Sequence, residues 1–496
     1  MNILTATQIR EADRYTMQQE PISSWNLMER TSGLFLNQVL KDAPGFTRFR
    51  ILCGAGNNGG DGLAVGRMLL ERGFSDTKCY LVKQPMYSPD NLLNQKLLQA
   101  FRPDALQVFE DCLCLPIEED VLWIDALLGT GLNRPPEGLL AACISWLSRR
   151  RDLISIDMPS GLYADGITTH DFVRGSKTFT FEAPKEGLLM PQHEVDFDVV
   201  PIGLNKAVFE FGEDRPIWYQ KSDIRKLVSK RKRHSHKGTF GHLLVVAGSK
   251  SKSGAAVMTA KAALRSGVGL VTILLPEEIR ETVMAQVPEA MCMIGGHDII
   301  SELPDFLPGN VDAIVAGPGL GTDERTGRAL NELMQIFPDV PLLLDADAIN
   351  LLSNQRINIK FLNNRALFTP HPGEFKRLVG PWKDDQERLA LLSSFCLKEC
   401  CSLILKDTYS VYSNCKGHLS YHTGGNTGLA KGGSGDVLTG IVGGLLASGY
   451  QRNIAAALGL YLHGCAADIA RSRETDSGMT ALSVVNCLPE AWEYLC

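Results

Sequence analysis

Short apolar segments alternate with helical segments along the first half of the chain. Apolar runs bounded by glycine, proline or charged residues are typical of buried strands. The strand candidates are Phe49–Cys53, Lys78–Val82, Val121–Ala126, Leu153–Asp157 and Thr178–Phe181. Helix candidates lie between most of them, for example Gly62–Arg72 and Glu137–Arg149, and two more helices precede them from Thr5 and Trp25. This order predicts an α/β fold in which helices cover both faces of a parallel sheet.

The same alternation starts again in the second half. Its strand candidates are His242–Ala247, Leu270–Leu275, Ala313–Ala316, Leu342–Asp345, Ala366–Thr369 and Leu403–Lys406. The helix candidates Asp436–Ser448 and Ile454–Ala470 follow them. A chain of 496 residues is too long for one ordinary core. We therefore predict two α/β domains, 1–220 and 221–496, that meet near residue 225 in the basic segment Lys221–Lys237.

Composition excludes several classes of partner. The formal net charge is −6, which gives no reason to expect nucleic acid or an anionic membrane. The apolar stretches are too short to span a bilayer, and the first residues lack a basic segment followed by an apolar run, so we expect no membrane span and no secretory signal. The 13 cysteines have no regular spacing, which favours reduced thiols in a cytoplasmic protein over disulfides or zinc. The basic run Lys230–Lys237 is either a solvated linker or a phosphate-binding segment.

A glycine-rich loop with an aspartate follows the first strand candidate. Gly54, Gly56 and Gly59 match the spacing of a dinucleotide-binding loop, but the second strand ends in Lys83 and lacks the usual ribose-binding acid. Asp61 is predicted just inside the helix start, where a carboxylate would compete with a pyrophosphate for the positive helix end. The loop therefore indicates a ligand other than an ordinary redox cofactor.

Two further acids follow later strands of the first half. Asp125 and Asp157 each precede a glycine turn at the carboxyl end of a strand, where the ligand crevice of an open parallel sheet lies. Each acid alone is as well explained as the cap of a helix or turn. Together with Asp61 they favour one shared site.

The segments GAGNNGGDG, DALLGTG and SIDMPSG, downstream of Leu27–Arg30, resemble those of the NAD(P)H-hydrate epimerase domain, over roughly residues 1–215. The resemblance implies a Rossmann-like three-layer sandwich that interconverts the R and S forms of hydrated NADH or NADPH (NADHX, NADPHX) at C6. We predict Asp157 as the acid/base of that reaction. The implied substrate contacts are Asn57, Asn58, Gly59, Gly60, Asp61, Gly129, Thr130, Gly131, Leu132, Asn133, Arg134, Pro135 and Asp157, and the implied potassium ligands are Asn58, Asp125 and Ser160.

The second glycine-rich loop, Asn426–Asp436, precedes a helix rich in Leu and Gly. Backbone N–H groups at a helix start stabilise a phosphate as charge develops, and Asp436 is placed to deprotonate an alcohol. A flexible turn with a capping aspartate is the alternative. The loop extends upstream to Thr423, well beyond the length of a cap, which favours the phosphate site.

Motifs of the second half resemble the NAD(P)H-hydrate dehydratase domain, over roughly residues 225–496: GPGLG, DADA, TPHPGEF and GLAKGGSGDVL. The resemblance implies a ribokinase-like α/β fold, with Asp436 as the base. The implied substrate contacts are Ala256, Gly319, His371 and Asp436, and the implied nucleotide contacts are Lys406, Asp407, Thr408, Tyr409, Ser410 and Gly435. Asp407 stands where the family usually has glycine.

The two resemblances together imply a bifunctional repair enzyme. Its dehydratase half would phosphorylate the C6 hydroxyl of the S form and then expel phosphate to restore NAD(P)H. The fusion of the two domains in one chain favours a bacterial protein that uses ADP with Mg²⁺. One alternative is a kinase of a small alcohol, of the thiamine-precursor type, with a non-catalytic dinucleotide-binding domain. Another makes the first half an interaction module, which the three acids disfavour. The partners are small molecules, and a homo-oligomer is left open.

Overall fold

The structure, a computed structural model, describes residues 1–175, 177–205, 216–357, 362 and 364–495. The chain divides into two compact units, Met1–Glu213 with Asp384–Gln386, and Asp214–Lys383 with Glu387–Cys496. No helix among the described residues is sufficiently long and apolar to cross a bilayer.

The first unit alternates helices and strands. Its elements are α1 Ala6–Gln19, α2 Ser24–Asp42, β1 Arg48–Cys53, α3 Asn57–Glu71, β2 Asp76–Val82, α4 Pro89–Phe101, β3 Leu106–Phe109, β4 Leu122–Ala126, α5 Gly138–Leu147, β5 Leu153–Ile156, β6 Lys177–Phe181 and β7 Phe197–Val200. The described strands form one parallel sheet in the order β3-β2-β1-β4-β5-β6-β7. The order reverses between β1 and β4, and such a switch point is where open α/β sheets bind ligands.

Both faces of this sheet are covered by apolar residues. Ile51 and Cys53 of β1 pack in one core with Phe35 and Leu63, while the intervening Leu52 packs in another with Trp123. Because successive strand residues point to opposite faces, the sheet is the middle layer of three. The three-layer fold predicted from the sequence is confirmed.

The second unit has a larger sheet. Its elements are β8 Ile217–Trp218, α6 Lys221–Leu227, β9 His242–Val246, α7 Ser253–Ser266, β10 Leu270–Leu275, α8 Arg280–Gln286, β11 Met291–Ile294, β12 Ala313–Ala316, α9 Glu324–Ile336, β13 Leu342–Leu344, α10 Ala346–Ser353, β14 Ala366–Phe368, α11 Pro372–Val379, α12 Asp385–Lys398, β15 Ser402–Leu405, β16 Ser410–Ser413, β17 Leu419–His422, α13 Ser434–Ala447, α14 Arg452–Gly478 and α15 Ala481–Leu495. The described strands have the order β11-β10-β9-β12-β13-β14-β15-β16-β17-β8.

Seven of these described strands, from β11 to β15 in the sheet, are parallel, and β16 and β17 extend the sheet as an antiparallel hairpin. The predicted strands are confirmed to within one or two residues. Six short strands lack a predicted counterpart: β3, β7, β8, β11, β16 and β17. The helix α13 is buried along most of its length, with Val437, Ile441 and Leu445 in the core, so its first turn is held firmly against the sheet.

The basic run Lys230–Lys237 is mostly exposed. One of its members is packed: the Arg231 guanidinium lies 3.9 Å from the centre of the Phe240 ring and donates a hydrogen bond to the carbonyl of Gly267. The run therefore contributes at least one structural contact, besides its exposed charges.

Candidate functional sites

A cavity of about 1130 Å³ lies in the first unit, at the carboxyl ends of the strands. Its walls come from the segments after β1, β4 and β5, and from α1 and α2. The loops after β1 and β4 meet because Cys53 pairs with Ala126 in the sheet, and the Gly54 amide donates to the Ala126 carbonyl at 2.9 Å. The cavity thus sits at the switch point of the sheet.

Most of the predicted substrate contacts line this cavity. The lining members are Asn57, Asn58, Asp61, Gly129, Thr130, Gly131, Leu132, Asn133, Arg134, Pro135 and Asp157. Gly59 and Gly60 are buried in α3 instead and do not line it. A Cβ at Gly59 would lie 1.8 Å from the Gly54 carbonyl oxygen, so glycine there allows the helix to approach the loop.

Asp157 occupies a strained position directly after β5. Its φ of +63° lies in the left-handed region, which costs energy for a residue other than glycine and marks many active sites. Its Oδ1 accepts hydrogen bonds from Lys185 Nζ at 2.6 Å, from the Phe181 amide at 3.0 Å and from Thr180 Oγ1 at 3.3 Å. No described residue donates to Oδ2, which leaves one oxygen of a cavity-lining carboxylate for a ligand.

Sequence reasoning missed Lys185 and Asp13. The side chain of Lys185 is 1% exposed, and its ammonium also donates to Thr180 Oγ1 at 2.8 Å and to the Phe181 carbonyl at 2.9 Å. Asp13, on α1, lines the cavity. Burial and nearby Asp157 raise the pKa of Asp13, Lys185 opposes the rise, and together they bring it to about 6. Lys185 follows the strand candidate Thr178–Phe181 by four residues, which is the only signal that could have indicated it.

Asp61 lies deeper in its helix than predicted. The helix α3 begins at Asn57, so Asp61 is in the second turn and not beside the helix start. Burial raises the pKa of Asp61 well above its ordinary value, a hydrogen bond from Ser32 Oγ at 3.1 Å opposes the rise, and Asp157 and Asp13 add to it. Because Asp61 does not lie at the helix start, the predicted competition with a pyrophosphate does not arise.

The three predicted potassium ligands converge around the backbone of Leu128. Asn58 Nδ2 donates to the Leu128 carbonyl at 3.0 Å, and the Leu128 amide donates to Ser160 Oγ at 2.8 Å. Asp125 is fully buried and accepts from the Ser160 amide at 2.8 Å and from Ser155 Oγ at 3.0 Å. Burial raises the pKa of Asp125, and these hydrogen bonds oppose the rise.

This oxygen-rich group fits a monovalent cation. Within the described ranges Asp125 forms no ion pair, so its charge has no protein counter-charge. A buried carboxylate without one is costly. Carboxylate, hydroxyl and carbonyl oxygens are hard ligands, which suit K⁺ better than a transition metal. No cluster of His, Cys, Asp and Glu suited to a metal ion occurs in the part of the chain that the structure describes.

The second unit places Asp436 in the first turn of α13. Gly433 precedes this helix with a φ of +96°, in the left-handed region that favours glycine, and the helix then starts at Ser434. Burial raises the pKa of Asp436 to about 6, and Asp345 adds to this while Lys406 opposes it. The carboxyl group therefore lies in the first turn of a helix, where the partial positive charge of the helix start favours an anion.

Two lysine–aspartate pairs border this helix start. Lys406 Nζ lies 2.8 Å from Asp345 Oδ1, and a Cβ at Gly435 would lie 3.2 Å from the same Nζ. Lys252 Nζ lies 2.8 Å from Asp347 Oδ2. Lys406 and Gly435, predicted to contact a nucleotide, are thus brought together, and the DADA motif supplies their acids.

The other predicted contacts of this half lie on three segments. Ala256 is fully buried on α7, backbone included. Gly319 accepts a hydrogen bond from Ser249 Oγ at 2.8 Å. His371 caps α11: its Nδ1 accepts from the Gly373 amide at 3.0 Å, so its proton is on Nε2, which faces Glu374 at 3.4 Å.

The nucleotide segment Lys406–Ser410 forms the turn between β15 and β16, with Thr408 exposed and Tyr409 and Ser410 half-buried. Asp407 forms an ion pair with Arg388, and its Oδ1 accepts from the Thr408 amide at 2.8 Å. Its φ is not positive, so the position does not require glycine. The departure from the family pattern is accommodated by a local ion pair.

Comparison with known proteins agrees with this division. The family model described as YjeF-related protein N-terminus matches residues 24–187, and the model described as NAD(P)H-hydrate dehydratase matches residues 243–490. The bifunctional NAD(P)H-hydrate repair enzyme of Moorella thermoacetica is 32% identical, over 99% of this chain and 96% of its own. That of Escherichia coli is 32% identical over 97% and 92%. A ribokinase-like superfamily protein from Enterococcus faecalis superposes on 58% of this chain and 98% of its own, with a TM-score of 0.50 and 25% identity.

Proposed function

The chain belongs to the family of bifunctional NAD(P)H-hydrate repair enzymes, and we propose that it carries out both reactions, one in each unit. The first unit interconverts the R and S forms of NADHX and NADPHX at C6. The second unit dehydrates the S form to NAD(P)H at the expense of ADP, giving AMP and phosphate. The observation that carries the proposal is that each unit has its own strand-end site with its own aspartate, Asp157 or Asp436.

The epimerase assignment rests on the cavity and on the free oxygen of Asp157. A volume of about 1130 Å³ is large enough for a whole dinucleotide. Asp157 Oδ2 would exchange a proton with the hydrated ring, while Oδ1 is fixed by Lys185. Asp61 would contact the ligand from α3, and the loop 129–135 would hold the rest of the ligand. A potassium ion would be held by Asn58, Asp125 and Ser160, and would supply the counter-charge for Asp125.

The dehydratase assignment rests on the start of α13. Asp436 would take the proton from the C6 hydroxyl as this oxygen attacks the terminal phosphorus of ADP, and the N–H group of Gly435 in the first turn of α13 would stabilise the transferred phosphoryl group. The C6–O bond then breaks with its electron pair on the departing phosphate, and the ring nitrogen supplies electrons to C6. Loss of the proton from C5 completes the dihydronicotinamide ring.

The acids around this helix start fit a nucleotide-bound Mg²⁺. Magnesium is usually held by one or two carboxylates together with substrate phosphates. Asp345 and Asp347 offer such oxygens, and Lys406 offers a charge for the phosphates. The bound metal would supply charge neutralisation on the phosphates.

A kinase of a small alcohol is the alternative. Such a kinase needs only the second unit. It gives no reason why Lys185 is buried in the first unit, where it holds a carboxylate that lines the cavity. It also predicts a stable phosphorylated product, whereas dehydration releases free phosphate and NAD(P)H.

The experiment supplies a mixture of R and S NADHX with ADP or ATP, and follows the absorbance of NADH. Complete conversion is expected, at a rate that depends on K⁺. A reaction that stops with only the R form left would contradict the epimerase assignment, and no NADH with either nucleotide would contradict both. Accumulation of a phosphorylated alcohol without NADH would favour the kinase.

A further inference from the structure

The first unit presents a third aspartate to the cavity besides Asp157 and Asp61. Asp13 lines the cavity from α1. No hydrogen bond or ion pair fixes its carboxyl group among the residues that the structure describes. Asp61, in contrast, is held by Ser32, and Asp157 by Lys185. Asp13 is therefore a cavity acid on α1 whose oxygens are all left for a ligand.

The helix that carries Asp13 is anchored. Thr5 caps it in a reciprocal arrangement with Gln8, and the Ala6 amide donates to Asp165 at 3.1 Å. Ala12 and Thr16 are buried, and Thr16 Oγ1 accepts from the Asn205 amide at 3.0 Å. A terminal helix without such contacts would fray. Asp13 is thus held at the cavity wall.

Asp13 and Asp157 have different electrostatic surroundings. A buried lysine neutralises Asp157, whereas Asp13 has only the more distant influence of that lysine. Acid and base roles are commonly divided between two carboxyl groups whose surroundings separate their protonation. Asp13 therefore holds its proton to a higher pH than an ordinary aspartate does.

Inversion at C6 needs a group on each side of the carbon. The C6–O bond breaks with its electron pair on oxygen, a carboxylic acid protonates the leaving hydroxyl to water, and the ring nitrogen forms a cationic C6=N1 double bond. A water molecule then adds to the other face of C6 and gives its proton to a carboxylate. One C6–O bond is broken and one is formed, and the net change is the transfer of a proton from one carboxyl group to the other. The reverse reaction therefore uses the same two carboxyl groups with their acid and base roles exchanged.

We propose that Asp13 is the second proton-transfer residue of the epimerase site and works with Asp157 from the opposite side of the hydrated ring. This inference rests on the proposed epimerase function. It assigns catalysis to α1, a helix that precedes every motif by which the sequence indicated the site.

The pair is tested by its pH dependence, and other charged groups also face the cavity. They come from α1, α3, the loop after β4 and the segment after β6, and are Arg10, Arg14, Asp61, Arg134, Glu137 and Lys185. Epimerase kcat/KM falls above pH 6 only if the reaction needs a group in its protonated form and that group loses its proton near pH 6. Asp13 has a pKa of about 6.

The experiment compares the wild type with Asp13→Asn, Asp13→Glu and the matched control Glu11→Gln, an exposed acid on the same helix that does not line the cavity. We expect Asp13→Asn to lower epimerase kcat by roughly 10²- to 10⁴-fold while binding of R-NADHX changes little. Asp13→Glu should keep more activity and keep the fall above pH 6, and Glu11→Gln should match the wild type.

Epimerase activity of Asp13→Asn within threefold of the wild type would overturn the inference, and so would a loss of R-NADHX binding that accounts for the whole effect. A wild-type epimerase kcat/KM that does not change between pH 5 and pH 8 would also overturn the inference, and this result does not depend on whether Asp13→Asn folds. All of these results are obtained with a wild-type protein that epimerises R-NADHX. If the proposed function itself is wrong, the wild type leaves R-NADHX unchanged, so the two failures can be told apart.

Discussion

Lys185 Nζ lies 2.6 Å from Asp157 Oδ1, and no described residue donates to the other oxygen of that carboxylate. The two oxygens therefore have different roles. Oδ1 accepts three hydrogen bonds that fix the side chain, while Oδ2 is left for a ligand of the cavity that Asp157 lines. The lysine is nearly inaccessible to solvent, so it acts through Asp157 and is a positioning residue.

Lys185→Met should abolish most of the epimerase activity and destabilise the first unit. Removing one member of a buried ion pair leaves the other charge without compensation, which costs about 3–5 kcal/mol. We expect an earlier urea transition for the first unit, measured by the fluorescence of Trp123 and its neighbours, and unchanged dehydratase activity below that transition.

Lys83→Met is the matched control. Lys83 also pairs with an acid, Glu110, but both side chains are more than half exposed. Exposed ion pairs contribute little, so this variant should keep the wild-type transition and both activities. A Lys185→Met protein as stable as the control, with normal epimerase activity, would remove the positioning role.

The parts of the fold that the sequence predicted are those with strong local signals. The central strands of both sheets are mostly apolar runs, such as Leu270–Leu275, and they lie where expected. The antiparallel strands Ser410–Ser413 and Leu419–His422 mix polar and apolar residues over four positions each, which is too short for a period to stand out. These segments are extended because they form hydrogen bonds with each other as an antiparallel pair, and their composition alone does not indicate a strand.

The start of α3 was predicted five residues too late for a related reason. Asn57, Asn58, Gly59 and Gly60 have low helix propensity, and their helical conformation depends on contacts with other segments. Asn91 Nδ2 donates to the carbonyls of Gly54 and Gly56, which fixes the loop that leads into the helix. Asp13 was missed because its partners in the site are more than forty residues away in the chain, and no local pattern indicates such proximity.

Potassium should be required by one activity and not by the other. Exchange of K⁺ for Li⁺ is expected to lower the epimerase rate, because the buried Asp125 would lose the ion that balances it, and to leave the dehydratase rate unchanged. Asp125→Asn removes the charge and should make the residual epimerase rate independent of the cation. Rates measured in K⁺, Na⁺ and Li⁺ salts at constant ionic strength decide this, and equal cation effects on both activities would contradict the assignment.

Dehydration should depend on pH through Asp436. A base acts only when ionised, and the pKa of Asp436 is raised to about 6, so the rate at subsaturating substrate should rise about tenfold per pH unit below pH 6 and level off above it. Asp436→Ala should abolish dehydration and spare epimerisation, while Asp157→Ala should do the reverse. Loss of both activities in either folded variant would contradict two separate sites.

Asp436→Asn should also make the second unit more stable at neutral pH, at the expense of activity. The folded-state pKa of about 6 lies above the ordinary value of 3.8, so the fold favours the protonated carboxyl group and pays for ionising it. This cost is absent below pH 3.8 and grows as the pH rises from 3.8 to 6. Above pH 6 it is constant, and a shift of about two pKa units corresponds to at most about 3 kcal/mol.

The measurement is the free energy of urea unfolding of the second unit at pH values from 4 to 7. The difference between Asp436→Asn and the wild type should be near zero at pH 4 and favour the variant at pH 7. Asp323→Asn is the control with the opposite sign: Asp323 caps α9, and its hydrogen bonds with Arg325 lower its pKa, so the wild type should lose its advantage over that variant as the pH falls. An Asp436→Asn protein less stable than the wild type at pH 7 would mean that the carboxylate is held by favourable contacts, and that Asp436 is not a base kept in an unfavourable setting.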